Sequence, residues 1–449
     1  MKTFLCSYRR DYGRLTWASF AVLGLLALLA IRPCVAADDH DHTHDPFEPT
    51  VTRDEARLLQ QAMATAATDP ATAVEMLRTK KLGDASAALD FALGNLYFQQ
   101  EQFDAAAQSY QGALTKLPKF RSAIMNLGRV YLLQNQTDKA ITLYQELVKD
   151  GQADADILLL LGHALLMQNH PVSAESAYRQ SLLLRPKHAD AMLGMAKSLM
   201  QQERYAEGLA LVGEILQTDP THAELWALRT NALLAMNAND RATRAIETAH
   251  RLGCADAEML AALGDLYLHQ DQPQDALRVY DEAFRTASPS VNRMLRAFEG
   301  FLMVNDQQGA LRMLERLETA RRADASSFGP KDQVKLLRLQ GELAEQQGDS
   351  ARAMALYEEL LRIDPLDARS LLLLARGQWQ KDQLEEAAMT CERAARIQGA
   401  EADALVLHAQ IEVQREHYGR AVELLEAAQT FQERPHVQRY LEQVRRMAQ

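Results

Sequence analysis

Aromatic side chains are scarce in this sequence, at 6% of 449 residues. A sheet-rich chain needs aromatic and β-branched residues, so the shortage favours helix, and Ala, Leu, Gln and Glu dominate what remains. Basic charge is short too. A formal net charge of −11 leaves no excess of Lys and Arg to hold a phosphate backbone, which excludes nucleic acid as a partner. Four cysteines are too few to staple a chain of this length. Also missing are a glycine-rich phosphate loop, a Cys-x-x-Cys pair, a His-Glu-x-x-His helix and a Gly-x-Ser-x-Gly elbow. The expectation is therefore that this is not an enzyme. What is present, 47% hydrophobic and 24% charged residues, describes a soluble folded chain.

The first 37 residues read as a targeting segment. Lys2, Arg9, Arg10 and Arg14 precede an apolar run over residues 15–31, and Arg32-Pro33 leads into the small-residue stretch Cys34-Val35-Ala36-Ala37. A charged start, an apolar middle and a small-residue exit describe a secretory signal, with a cut before Asp38 or Ala37. The alternative is an uncleaved anchor, because 17 apolar residues sit at the lower limit for spanning a bilayer. Either way the remainder is expected outside the cytoplasm, periplasmic or secreted. Without residues 1–37 the chain has 44 basic and 59 acidic residues, a net −15. Cys254 and Cys391 remain, far apart, and read as small buried hydrophobes.

A period of 34 residues organises the rest. Gly94, Gly128, Gly162 and Gly264 share one column. Ala106, Ala140, Ala174, Ala242, Ala276 and Ala310 share a second, interrupted by Gly208. A third reads Tyr110, Tyr144, Tyr178, Val212, Ile246, Tyr280 and Leu314. Pro118, Pro186 and Pro220 close their units. Seven units run over 87–324, residues 325–333 interrupt, and three more run over 334–435, where Gly341, Ala353, Tyr357 and Pro365 restore the columns. The expected fold is all-α: about ten helix-turn-helix hairpins, whose small residues let paired backbones approach while the aromatic column fills the gap beyond. Residues 54–86 read as a degenerate helical hairpin. Residues 436–449 read as a capping helix, with Val437, Tyr440, Leu441 and Val444 on one face. The interruption, broken by Gly329-Pro330, is either a loop or a joint between two arms. Thr230 and Phe298, where the small first-helix residue is lost, put the packing of their two units in question.

Leu93-Gly94-x-x-Tyr97, Ala106, Tyr110, Ala113 and Pro118 resemble the tetratricopeptide repeat almost completely, and Leu263-Gly264, Tyr267, Ala276, Tyr280 and Ala283 nearly as well. Trp226 occupies that family's aromatic start. The resemblance implies a right-handed α-solenoid whose concave groove binds peptides or partner proteins. Its exported context is similar to periplasmic scaffolds of Gram-negative bacteria. First-helix residues expected to face the groove are Asn95, Arg129, His163, Lys197, Asn231, Asp265, Glu299, Glu342 and Arg376, beside an apolar column that includes Phe98, Leu132, Leu166 and Met200. The family's clamp for peptide carboxylates is not reproduced. Asn95 matches one element, but Phe91 and Arg129 stand where Lys and Asn would be wanted.

Between leader and hairpins, residues 38–53 read as a His- and Asp-rich spacer. His40, His42 and His44 with four carboxylates suit Cu, Ni or Zn. A cut before Asp38 would put His40 third, an arrangement that resembles the amino-terminal copper and nickel site; the other reading is a polar spacer with no bound metal. Isolated histidines such as His163, His222 and His269 read as solvated or hydrogen-bonded side chains rather than ligands. The leading expectation is a non-enzymatic protein–protein scaffold supporting an envelope, secretion or transport complex. Its partners would be proteins of the cell envelope, with membrane contact only through an uncleaved leader. The alternatives are a metal-handling accessory protein and a chaperone for exported polypeptides.

Overall fold

The computed structural model describes residues 47–80 and 85–449. The regular structure of those residues is twenty-three α-helices and one 3₁₀ turn, with no β-strand among them. They fall into two compact units that divide after Met236. The first unit pairs Arg53–Ala66 with Pro70–Lys80, Ala87–Gln99 with Phe103–Lys116, Arg121–Leu133 with Thr137–Lys149, Ala155–Met167 with Pro171–Leu184, and Ala189–Gln201 with Tyr205–Thr218, then ends in Ala223–Ala235. The second opens on Asn239–Arg251. It pairs Ala257–His269 with Pro273–Thr286, Val291–Met303 with Gln307–Ala323, Pro330–Gln346 with Ser350–Ile363, Ala368–Gln380 with Leu384–Ala394, and Glu401–Gln414 with Tyr418–Phe431, and closes on Pro435–Met447. The architecture is an all-α solenoid of helical hairpins.

The 34-residue columns become physical contacts inside each hairpin. Sixteen residues separate each column glycine from its tyrosine, and Tyr110, Tyr144, Tyr178, Tyr280 and Tyr357 are fully buried. A Cβ on Gly94 would come 2.6 Å from the Tyr110 ring, on Gly162 2.7 Å from Tyr178, and on Gly264 2.6 Å from Tyr280. These glycines are required because the ring lies flat against the backbone of the first helix. Where the glycine is absent, the partner shrinks: Ala196 goes with Val212, Phe298 with Leu314, Ala375 with Cys391 and Ala409 with Leu425. All eight are buried, Phe298 at 0% exposure. In the Phe298 unit the larger ring sits on the first helix and the smaller Leu314 on the second, and both are accommodated in the interior. Thr230 is likewise buried within its helix. Burial pushes the Cys391 thiol up to about 12, so that sulfur serves as a filler; neither Cys391 nor Cys254 is in a disulfide.

From Ala87 onward, one left-handed residue follows each first helix. Glu101, Asn135, Asn169, Glu203, Asn237, Asp271, Asn305, Asp382 and Glu416 all have φ between 54° and 62°, and Gly348 takes the same place at 77°. At Asn135 the turn is closed by Asn135 N–H to the Leu132 carbonyl (3.0 Å) and Gln136 N–H to the Tyr131 carbonyl (2.8 Å), which satisfies the orphan carbonyls of the helix end. Asn and Asp tolerate that conformation best after glycine.

Residues 325–333 hold a 3₁₀ turn, Ala325–Ser327, and the first turn of the helix beginning at Pro330. Much of the interruption is absorbed by lengthening its flanking helices to 17 residues each. The hairpins on either side remain joined: Gln307 Nε2 donates to the Gln346 carbonyl (2.9 Å) and Gln346 Nε2 to the Leu302 carbonyl (2.8 Å). At the end of the second unit, Val437, Leu441 and Val444 pack in one cluster with Ala409, Ala421, Leu424 and Leu425, leaving Arg439, Gln443 and Arg446 exposed.

Candidate functional site

Within each of the two units, the first helices of successive hairpins carry a repeating set of polar side chains. Asn95 is buried. Its Oδ1 accepts from Tyr110 Oη (2.7 Å) and from Asn126 Nδ2 (3.0 Å) of the next first helix. Arg129 is half-buried and donates to Asn126 Oδ1 at 3.3 Å. Lys197 is buried against Glu224. Asp265 holds Arg293 (2.8 Å) and Arg296 (3.3 Å) and accepts from Tyr280 Oη (2.5 Å). Glu299 pairs with Lys335 and Glu342 with Arg369, each at 2.7 Å. Asn231 and Arg376 are exposed.

Most charged members of this column are therefore spent on clasps between neighbouring hairpins rather than left open. The partner acid or base comes from the following first helix, 27 residues on for Lys197–Glu224 and Glu342–Arg369 and 28 for Asp265–Arg293. That second periodicity was visible in the sequence, as an opposite charge recurring at nearly fixed distance. A parallel ladder ties the turns together. Gln134 Nε2 donates to Asp104 (2.7 Å), Gln168 to Asp138, Gln202 to Glu175 (2.9 Å) and Gln414 to Asp382 (3.2 Å).

The apolar side of the face also differs from the expected column. Leu166 and Met200 are buried in hairpin packing, while Phe98 and Leu132 stay half-buried. Met125, Leu159 and Leu193, four residues before Arg129, His163 and Lys197, are likewise half-buried and share the accessible apolar surface with Phe98 and Leu132. One helical turn separates the two rows, so both lie on the same face. Periodicity alone does not say which of two adjacent apolar rows is covered by the second helix, and that is why the row was missed.

His163 stands edge-on to Tyr178, with ring centroids 5.6 Å apart. Burial pulls its imidazole down to about 4, helped by the positive charges of Lys197 and His188. The folded ring is thus neutral, and the unfolded chain takes up the extra proton first. Stability from this ring is complete above pH 6.5 and is lost as pH falls from 6.5 towards 4. Because the side chain is only half-buried, the loss is expected to be about 2 kcal/mol rather than the full shift. Urea unfolding of His163→Gln against the parent at pH 7 and pH 4.5 checks this. The parent should lose that increment on acidification and the variant should not.

His40, His42 and His44 lie outside the described residues. Among the described residues no group of three potential metal ligands gathers, and no helix is long and apolar enough to cross a membrane.

Comparison with known proteins matches the fold to one family. Tetratricopeptide repeat models match residues 165–232 in one case and 91–156, 229–291, 310–368 and 338–404 in another, together more than half of the chain. A tetratricopeptide repeat protein from Parabacteroides merdae is 21% identical, covering 53% of this chain and 95% of its own, with a TM-score of 0.42. The C-terminal part of a repeat protein from Cytophaga hutchinsonii is 15% identical, covering 54% and 96%, with a TM-score of 0.42. The cellulose synthase 2 operon protein C of Komagataeibacter xylinus is 29% identical over 209 residues, which are 44% of this chain and 16% of that protein. The chain thus spans a small part of that relative. No catalytic family is indicated, and the chain belongs to the tetratricopeptide repeat family, whose fold supports scaffolds for protein–protein interaction.

Proposed function

We propose that this chain is a non-enzymatic docking scaffold of the bacterial cell envelope, periplasmic or secreted, which binds segments of partner proteins on its first-helix face and supports assembly of an envelope complex. The observation that carries the reading is the partly exposed apolar row Met125, Leu159 and Leu193, set beside polar clasps between neighbouring first helices. An apolar strip bordered by ordered polar groups gives a partner both area and register. The leader-like first 37 residues favour the envelope. The likeness to a protein named for a cellulose synthase operon favours machinery that makes or exports polysaccharide.

The test is fractionation of native cells followed by capture on the tagged chain, in parallel with Leu159→Glu and Leu193→Glu forms. The protein should fractionate with the envelope, and a defined partner should be retained by the parent and lost from both variants. Fractionation with the cytosol, or a partner indifferent to both substitutions, would contradict the reading.

A further inference from the structure

One hairpin has ionisable groups where the repeat elsewhere has apolar ones. Leu93 and Tyr97, Leu127 and Tyr131, and Leu263 and Tyr267 fill two positions one helical turn apart in their first helices. In the helix Glu401–Gln414 the same two positions hold His408 and Glu412. No other unit of the repeat pairs an acid with a base there. Both side chains are nevertheless only 4% exposed.

Glu412 is the centre of the cluster. Its Oε2 accepts from His417 Nδ1 (2.7 Å) and its Oε1 from Arg415 Nη1 (2.8 Å), while His408 Nε2 lies 3.5 Å from Oε1. Glu385, on the second helix before it, stands 3.7 Å from Arg415. Glu392 on that same helix and Arg420 on Tyr418–Phe431 act on His408 through their charges. Ala368–Gln380 and Pro435–Met447 bring apolar contacts, Ala375 with Leu407 and Ile411, and Val437 and Leu441 with Ala409. Arg376, exposed on the first of those helices, acts on the Cys391 thiol. Arg415 already balances Glu412, so a proton on His408 adds a positive charge where little water reaches. Burial lowers the His408 imidazole against the pull of Glu412 and Glu392. Burial acts to raise the Glu412 carboxyl, but hydrogen bonds from His417 and Arg415 outweigh it and hold the group below its usual value. The two shifts have the same consequence. Stability present near neutral pH is lost as pH falls, first through the histidine below 6.5.

We infer that the hairpin of Glu401–Gln414 and Tyr418–Phe431 is an acid-sensitive joint. Near neutral pH it stays seated on the hairpin before it. In mild acid it parts from that hairpin locally and bares the apolar strip Ala375, Cys391, Leu407 and Ile411. A buried acid–base pair stabilises a fold less than the Leu and Tyr used elsewhere, and a conditional role accounts for its place here. Two ties across the seat, Trp379 Nε1 to Gln414 Oε1 (2.6 Å) and Gln414 Nε2 to Asp382 (3.2 Å), lie at its exposed edge, where hydrogen bonds are readily exchanged for water. The joint does not depend on the scaffold reading above.

Cys391 reports the opening, because its thiol is 0% exposed and sits in that strip. The full chain is labelled with 4,4′-dithiodipyridine at pH 7.5 and pH 5.5, and modification of Cys391 and Cys254 is followed by peptide mass spectrometry. Each rate is divided by that of the urea-unfolded chain at the same pH, which removes the thiol's own pH dependence. One histidine that gains its proton only on opening raises the open fraction by about tenfold at pH 5.5, one unit below its ordinary value of 6.5. The normalised Cys391 rate should therefore rise about tenfold, and that of Cys254, in another hairpin of the same unit, should change by less than about twofold. His408→Gln should abolish the rise, since its amide fills the site without titrating. His408→Leu/Glu412→Tyr, which restores the pair found at Leu263 and Tyr267, should abolish it too and slow Cys391 at both pH values. Far-UV circular dichroism at pH 7.5 confirms that the variants are folded. No rise at Cys391, a rise that survives both variants, or an equal rise at Cys254 overturns the inference, the last by showing general unfolding in place of a joint.

Discussion

Gly264→Phe should destabilise the second unit by about 3 kcal/mol or more, since even a methyl group there would stand 2.6 Å from the Tyr280 ring. Tyr280→Leu alone should cost about 2–3 kcal/mol, through a cavity and the lost hydrogen bond to Asp265. The double variant Gly264→Phe/Tyr280→Leu should recover most of the combined loss, with a coupling energy of at least about 1.5 kcal/mol. The chain has already made this exchange 34 residues later, where Phe298 and Leu314 occupy the same two columns and are both buried. Urea unfolding of the four forms reads the cycle directly. Additive losses would mean that the two columns do not share one volume.

Asp265→Ala is the second large effect. Arg293 has a side chain 9% exposed, and Asp265, 25% exposed, is its ion-pair partner. Removing the acid leaves a buried guanidinium without a counter-charge and the Tyr280 hydroxyl without its acceptor. Breaking such a pair from one side costs about 3–5 kcal/mol, far more than the pair contributes relative to an apolar replacement. A loss of about 3 kcal/mol is therefore expected from denaturation. Asp265→Leu/Arg293→Met should be markedly more stable than Asp265→Ala, because neither side then strands a charge. If the double variant is as unstable as the single one, the clasp has been misread.

These two predictions divide what could be read from the amino acids and what could not. Glycine and tyrosine recur as sequence columns because a steric requirement acts within one hairpin, over sixteen residues. That requirement made the all-α repeat fold legible, and it also explains the exceptions: Phe298 is a departure from the column and not from the packing. The candidate face was only partly legible. The column at Asn95, Arg129, His163 and Lys197 lies on the first helices as expected. Its role changes once Glu224, Arg293, Lys335 and Arg369 take up its charges from the next helix. Burial also decides between two apolar rows that periodicity cannot separate, covering Leu166 and leaving Leu159 half-exposed. Both distinctions are set between hairpins, where the contact depends on how each repeat is placed against the next.

The direct measurement of the docking claim is in-cell photo-crosslinking with a benzophenone side chain placed at Leu159, at Leu193, and at Leu183, an exposed residue of a second helix. Discrete adducts at Leu159 and Leu193, with none at Leu183, are the predicted result. Adducts that are equal or stronger at Leu183, or absent at both first-helix positions, would contradict a partner site on that face.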